Sequence, residues 1–116
     1  MTSESRRKTG QHYEQLAAEF LEGQGLCVLE RNFYCRQGEI DLILQDGEVL
    51  VFAEVKYRSN RAMGDPLEAV TAKKQFHIRR AAEYYLYSHG YGEDTMCRFD
   101  VIGICGQEIA WLKDGF

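Results

Sequence analysis

Two stretches of the chain repeat their apolar residues with the spacing of an amphipathic α-helix. The first stripe consists of Tyr13, Leu16, Ala17, Phe20 and Leu21, and it predicts a helix from about Thr9 to the glycines at 23 and 25. The second consists of Ile78, Ala81, Ala82, Tyr85 and Leu86. It predicts a longer helix that ends near residues 89–90. This helix begins either at the acid–proline segment 65–68 or at Thr71, a second candidate N-cap.

Short apolar runs between and after the helices predict five strands. They fall at residues 26–31, 38–45, 48–56, 98–104 and 109–112. The resulting order is α-β-β-β-α-β-β, and a helix that joins the third and fourth strands favours a mixed sheet with helices packed against it. The fold class predicted from the pattern is therefore α/β.

The second and third strands read as a hairpin around Asp46-Gly47, a typical two-residue loop. That loop pairs Gln45 with Glu48, and continuing the register pairs Ile43 with Leu50, Asp41 with Phe52 and Glu39 with Glu54. Because side chains alternate across a strand, four charged residues then share one face: Glu39, Asp41, Glu54 and Lys56. Asp41 and Glu54 become diagonal neighbours, roughly 7–8 Å apart at Cα.

Carboxylates in such a hairpin need a physical reason, since the flanking residues are apolar on both faces. Burying acids beside an ammonium group is costly unless a cation also sits there. The oxygens of Asp41 and Glu54 suit Mg²⁺ or Mn²⁺. The alternative is a surface hairpin whose charges are solvated. Lys56, surrounded by acids, is expected to stay protonated. It is either a catalytic group or one member of a structural ion pair.

The chain has 116 residues and a net charge of −4, which fits a single domain at 9–116 preceded by a flexible basic arm at 1–8. Its charge is unevenly distributed. Residues 9–55 carry nine acids and two bases, a net of −7, whereas residues 56–80 carry seven bases and two acids, a net of +5. The basic segment suits a phosphate backbone lying beside a metal site, although a solvated helix face would look the same. The candidate phosphate contacts are Arg58, Lys74, Gln75, Arg79 and Arg80.

The remaining features narrow the class of protein. Four cysteines form no Cys-x-x-Cys pair and are predicted to be buried thiols. No apolar run is long enough to cross a bilayer and no signal-peptide core follows Met1, so we expect a cytoplasmic protein without membrane contact. Glu14 lies on the flank of the first helical stripe, where periodicity alone favours a boundary charge.

Asp41 followed by Glu54-Val55-Lys56, on the second and third strands of this core, resembles the PD-(D/E)xK nuclease superfamily, in which Ile40 here replaces the proline. The resemblance implies a restriction-endonuclease-like fold. It also implies a metal site of Asp41, Glu54, the carbonyl of Val55 and a first-helix glutamate, here Glu14. Glu39, opposite Glu54 in the predicted register, is either an outer partner of this site or a ligand. The catalytic set would be Asp41, Glu54, Lys56 and Glu14. The archaeal Holliday junction resolvases in this superfamily pair as dimers, which leaves a homodimer open.

A second resemblance covers nearly the whole chain. The segments that carry it are Gly10…Glu14…Ala18, Arg31-Asn32, Gly38-Glu39-Ile40-Asp41-Leu42-Ile43, Val51-Phe52-Ala53-Glu54-Val55-Lys56-Tyr57-Arg58, Lys74 and Arg98-Phe99-Asp100-Val101. They are similar to the YraN family of small bacterial proteins, which has a nuclease-like fold.

These features together predict a Mg²⁺- or Mn²⁺-dependent endonuclease that hydrolyses phosphodiester bonds in nucleic acid. DNA is favoured over RNA, and branched or single-stranded repair intermediates are the expected substrates. The alternatives are a non-catalytic nucleic-acid-binding module and an adaptor in which the acids only organise the fold.

Overall fold

A computed structural model describes residues 2–59 and 70–116 of the chain. Its elements are α1 (Ser3–Gly23), β1 (Cys27–Cys35), β2 (Gly38–Asp46), β3 (Val49–Arg58), α2 (Ala72–Ser88), β4 (Cys97–Cys105) and β5 (Glu108–Leu112). The strands form one sheet in the order β1-β2-β3-β4-β5. Only the β3–β4 pair of this sheet is parallel. The predicted element order and the mixed α/β sheet are confirmed.

The two helices cover opposite faces of the sheet. Residues of β2 and β3 alternate between two cores, as the period of a strand requires. Leu42 and Val51 pack with Ala17, Ala18 and Leu21 of α1. Their neighbours Ile43 and Phe52 pack with Ile78, Ala81, Ala82 and Tyr85 of α2. The centre of the sheet is therefore enclosed on both faces by apolar side chains, which explains the near-continuous apolar runs of these strands.

Helix α1 begins at Ser3, six residues before the predicted start, so residues 3–8 are helical and not an arm. Thr2 caps it by accepting a hydrogen bond from the backbone N–H of Ser5 at 3.1 Å, and Glu4 and Lys8 form an exposed ion pair at 3.7 Å. Residues 3–8 are all exposed and carry no apolar stripe. Hydrophobic periodicity therefore could not detect this part of the helix.

Helix α2 is capped by Thr71, the second of the two predicted starts. The Thr71 hydroxyl accepts from the backbone N–H of Lys74 at 3.1 Å, a typical N-cap contact. The other predicted start, the segment 65–68, lies outside the described residues.

The burial of the cysteines differs from the prediction. The four cysteines are free; Cys27 is exposed and Cys35, Cys97 and Cys105 are partly exposed, so the prediction of buried thiols is wrong. All four stand at the ends of β1 and β4, where the strands leave the core.

Asp100 is fully buried and forms an internal ion pair with Arg98 at 3.0 Å. Asp100 also accepts a hydrogen bond from the indole N–H of Trp111 at 2.9 Å, so its role is structural.

Among the described residues, no helix is both long and apolar enough to cross a membrane.

Candidate functional site

The hairpin register differs from the predicted one by two residues. Asp46 pairs with Val49, so the loop is Gly47-Glu48 and not Asp46-Gly47. Gly47 has a φ of 59°, a left-handed conformation that suits glycine in a two-residue hairpin loop. Ile43 consequently pairs with Phe52 and not with Leu50.

A shift of two residues leaves the paired side chains on their predicted faces, because the period of a strand is two. Beyond the paired segment the alternation of β2 is interrupted, since Ile40 packs in the same core as Ile43. The shift changes which charged residues stand opposite one another. The β2–β3 pairing ends at Leu42 and Ala53, and the next pair in the same register is Asp41 with Glu54. In that register the residue opposite Glu54 is Asp41 and not Glu39.

Asp41 sits where the β2–β3 pairing ends. Its Oδ2 accepts a hydrogen bond from the backbone N–H of Val55 at 2.8 Å. The carboxylate is thereby tied to the strand that carries Glu54 and Lys56. This bond fixes the position of Asp41 relative to Glu54 through the main chain of β3. Together with Glu14, described below, these two residues form what we call the acid cluster.

Glu54 is buried, with 4% of its side chain exposed, and its Oε1 lies 2.6 Å from the Nζ of Lys74. Lys74 stands in the first turn of α2, which the Thr71 cap holds in place. A charge-assisted contact of this length is a strong one. Lys74 supplies the cation that accompanies the buried glutamate.

Glu14 of α1 reaches the same cluster from the other face of the sheet. Burial raises the pKa of its carboxyl, and the negative charges of Glu39 and Glu54 add to that, although hydrogen bonds with Asp41 and Asn32 oppose it. Glu14 is therefore a member of the cluster and not the boundary charge that periodicity favoured. Glu39 is exposed and lies near Glu14 at the rim.

Asn32 is a member of the site that the residue pattern alone did not identify. It lies on β1 and has a φ of 51°, a left-handed conformation that asparagine tolerates better than most residues. Its side chain shares a hydrogen bond with Glu14. The sequence feature that could have identified Asn32 is its place in the Arg31-Asn32 segment, one of the segments that carry the family resemblance.

The pKa of Asp41 is raised well above its usual value. Burial is the largest cause, followed by the charge of Glu54, and the charge of Glu14 adds to it; the Val55 N–H and the charge of Lys74 oppose the change. Burial and nearby negative charge both disfavour the ionised form of a carboxyl, and both act on Asp41.

The two lysines of the site have pKa values that move in opposite directions. Burial and the charge of Lys74 lower the pKa of Lys56, and together they outweigh the opposing effect of Glu54. This is the reverse of what neighbouring acids alone would give. Burial also acts to lower the pKa of Lys74, but the hydrogen bond and charge of Glu54 prevail and raise it. The two side chains are hydrogen-bonded to each other.

The predicted phosphate contacts divide into two groups. Arg58 lines a pocket together with Lys56 and Lys74, next to the acids. The remaining three, Gln75, Arg79 and Arg80, make contacts elsewhere. Gln75 donates to the carbonyl of Val70 at 3.0 Å, the Arg79 guanidinium lies 4.6 Å from the centre of the Phe99 ring, and Arg80 pairs with Glu83 at 3.9 Å.

The donors of the cluster are the hard carboxylate oxygens that Mg²⁺ and Mn²⁺ prefer. Burial raises the pKa of both Asp41 and Glu14, and the charge of Glu54 adds to the rise at each of them. The chemistry of the site therefore fits a divalent cation. As the side chains stand, however, no group of three or more His, Cys, Asp or Glu residues within 2–59 and 70–116 is arranged to hold a metal ion, and an oxygen of Glu54 faces Lys74.

Fold and site together define a small α/β protein with an acidic, lysine-flanked cleft where two central strands part. A family model described as "Uncharacterised protein family UPF0102" matches residues 13–104. The chain belongs to this family.

Curated relatives cover the chain almost end to end. A UPF0102 protein of Nitrosococcus oceani is 42% identical over 120 aligned positions, which span 100% of this chain and 97% of the relative. One of Marinobacter nauticus is 47% identical, with 98% of this chain and 96% of the relative covered. A third, of Alcanivorax borkumensis, is 48% identical over 86% of this chain and 80% of the relative.

Removing Lys74 should destabilise the protein, because buried Glu54 would lose its close cation. We expect Lys74→Gln to lower the free energy of unfolding at neutral pH by about 1–3 kcal/mol, the typical cost of leaving a buried polar group without a partner. The measurement is urea denaturation beside Lys73→Gln, which changes the exposed neighbouring lysine. Equal stability of the two variants would contradict this role.

Changing Asp41 should alter the pH dependence of stability. Because its pKa is raised in the folded state, the folded chain binds this proton more tightly, so the free energy of unfolding falls as pH rises from about 4 through the folded pKa. Asp41→Asn removes this penalty and should be at least as stable as the wild type at pH 7 in EDTA, with a flatter pH profile. Denaturation curves between pH 5 and 7.5 test this. A marked loss of stability at pH 7 would instead support the adaptor hypothesis.

Proposed function

We propose that this protein hydrolyses phosphodiester bonds in nucleic acid, with DNA as the expected substrate, in a reaction that depends on Mg²⁺ or Mn²⁺. The observation that carries the proposal is the convergence of Glu14, Asp41 and Glu54 beside the Lys56–Lys74 pair. Acids that hold a cation and amines that meet phosphate are the two components such a reaction needs.

Asp41 and Glu54 would hold the metal ion, with the carbonyl of Val55 and the carboxylate of Glu14 as further ligands. When bound, the ion would polarise the scissile phosphate and supply a water of lowered pKa as the nucleophile. Asp41 is already positioned by the Val55 N–H. Glu54 would have to exchange Lys74 for the ion.

Lys56 and Lys74 are assigned different roles because of their positions: Lys74 contacts Glu54 directly, whereas Lys56 follows Glu54 by two residues on β3. Lys56 would orient the attacking water and stabilise the charge that develops on the phosphate. Lys74, which keeps its charge, would leave Glu54 and stabilise the negative charge on the phosphate.

A cleavage screen tests the proposal directly. Linear, flapped and four-way DNA are incubated with the protein and either Mg²⁺ or Mn²⁺. We expect metal-dependent cleavage that Asp41→Ala and Lys56→Ala reduce by about 100-fold or more, since each removes a group acting on the developing charge. Lys73→Ala, which changes an exposed lysine of the same helix, should retain activity.

Thermal melting separates lost chemistry from lost folding in each variant. A folded wild-type protein that binds these DNAs but leaves all of them intact with both ions would refute the nuclease. That result would favour the non-catalytic binding module.

A further inference from the structure

A pocket of about 530 Å³ lies beside the acid cluster, between α1 and the end of β3. Six of the residues that line it are Thr9, Tyr13, Lys56, Tyr57, Arg58 and Lys74. We call it the cationic pocket. Its volume falls within the roughly 300–1,000 Å³ of pockets that take small ligands, so it suits one nucleotide and not a duplex.

The charges of its walls select an anion. Lys56, Arg58 and Lys74 are all basic, and no acid is among the described residues that line it. A neighbouring pocket of about 400 Å³ is lined instead by Glu14, Glu39 and Arg7 with uncharged residues. A polyanion at the site is therefore attracted to the cationic pocket and not to the pocket that Glu14 and Glu39 line.

The cationic pocket also has an aromatic wall. The rings of Tyr13 and Tyr57 are stacked, with centroids 4.3 Å apart and planes inclined by 13°. Aromatic side chains beside basic groups are the usual combination for binding unpaired nucleotides, since each base can stack and each phosphate can pair. A base in a duplex already has both faces stacked and cannot use such a wall.

We propose that the cationic pocket binds one unpaired nucleotide of the strand to be cut, next to the cleaved bond. Arg58 and Lys56 contact its phosphate, and Tyr13 contacts its base. The proposal rests on the function proposed above for the acid cluster. It makes nucleic acid with an unpaired strand the substrate class, in preference to intact duplex.

The experiment measures binding without cleavage. A labelled single-stranded oligodeoxynucleotide and the matching blunt duplex are titrated with protein in EDTA at several salt concentrations. Arg58→Gln should reduce the slope of log affinity against log salt for the single strand by about 0.7, the value for one phosphate contact. Arg58→Lys should restore the slope. Lys73→Gln, the matched loss of a charge outside the pocket, should leave it unchanged.

Tyr13→Leu should weaken single-strand binding by about fivefold or more without changing the slope, as the loss of one stacked base does. Tyr13→Phe, which keeps the ring, should retain the affinity, and duplex binding should be unaffected by either change. Because Tyr13 also packs against the core, melting curves accompany both variants. Should Tyr13→Leu fail to fold, the Arg58 slope decides the matter alone.

The proposal is overturned if Arg58→Gln has the same slope as Lys73→Gln, or if a folded Tyr13→Leu protein loses equal affinity for duplex and single strand. These results are distinct from failure of the nuclease. A protein that cleaves DNA but shows no Arg58 effect refutes the pocket alone, whereas one with the Arg58 effect and no cleavage supports the pocket and refutes the nuclease.

Discussion

The structure depends on the placement of carboxylates at the centre of an otherwise apolar sheet. Glu54 is nearly excluded from solvent, and burial together with the charges of Glu54 and Glu14 raises the pKa of Asp41. Burying like charges opposes folding unless cations accompany them. Lys74 is the close partner of Glu54, and its charge opposes the rise in the pKa of Asp41 without cancelling it. The hard oxygens of these carboxylates are the basis for the second cation that we propose at the site.

The fold explains why these residues meet. The β2–β3 pairing ends at Leu42 and Ala53, and the side chain of Asp41 then bonds to the main chain of β3. Helix α1 supplies Glu14 from one side of the sheet and α2 supplies Lys74 from the other. Each helix is held by its own apolar core. Changes in either core should therefore reach the site through the placement of a single charged side chain.

Part of this arrangement was predictable from the sequence, since the period of the apolar residues locates the packed part of each helix and the shared face of Asp41, Glu54 and Lys56. The first six residues of α1 were not predictable in this way, because they carry no apolar stripe. The hairpin register was not, because Asp46-Gly47 and Gly47-Glu48 are both plausible loops and the side-chain faces are the same in either case. The direction of the Lys56 pKa also escaped prediction, because it depends on a lysine from a distant helix. Periodicity could not place Glu14, which reaches the acids only once α1 is packed on the sheet.

The most direct test of the account is a titration with Mn²⁺, followed by electron paramagnetic resonance of the free ion. The account predicts one saturable ion per wild-type chain, lost in Asp41→Asn and retained in Glu22→Gln, which neutralises an exposed acid on α1. Saturable binding that survives in Asp41→Asn, or its absence from the folded wild-type protein, would contradict a cation site at the end of the β2–β3 pairing.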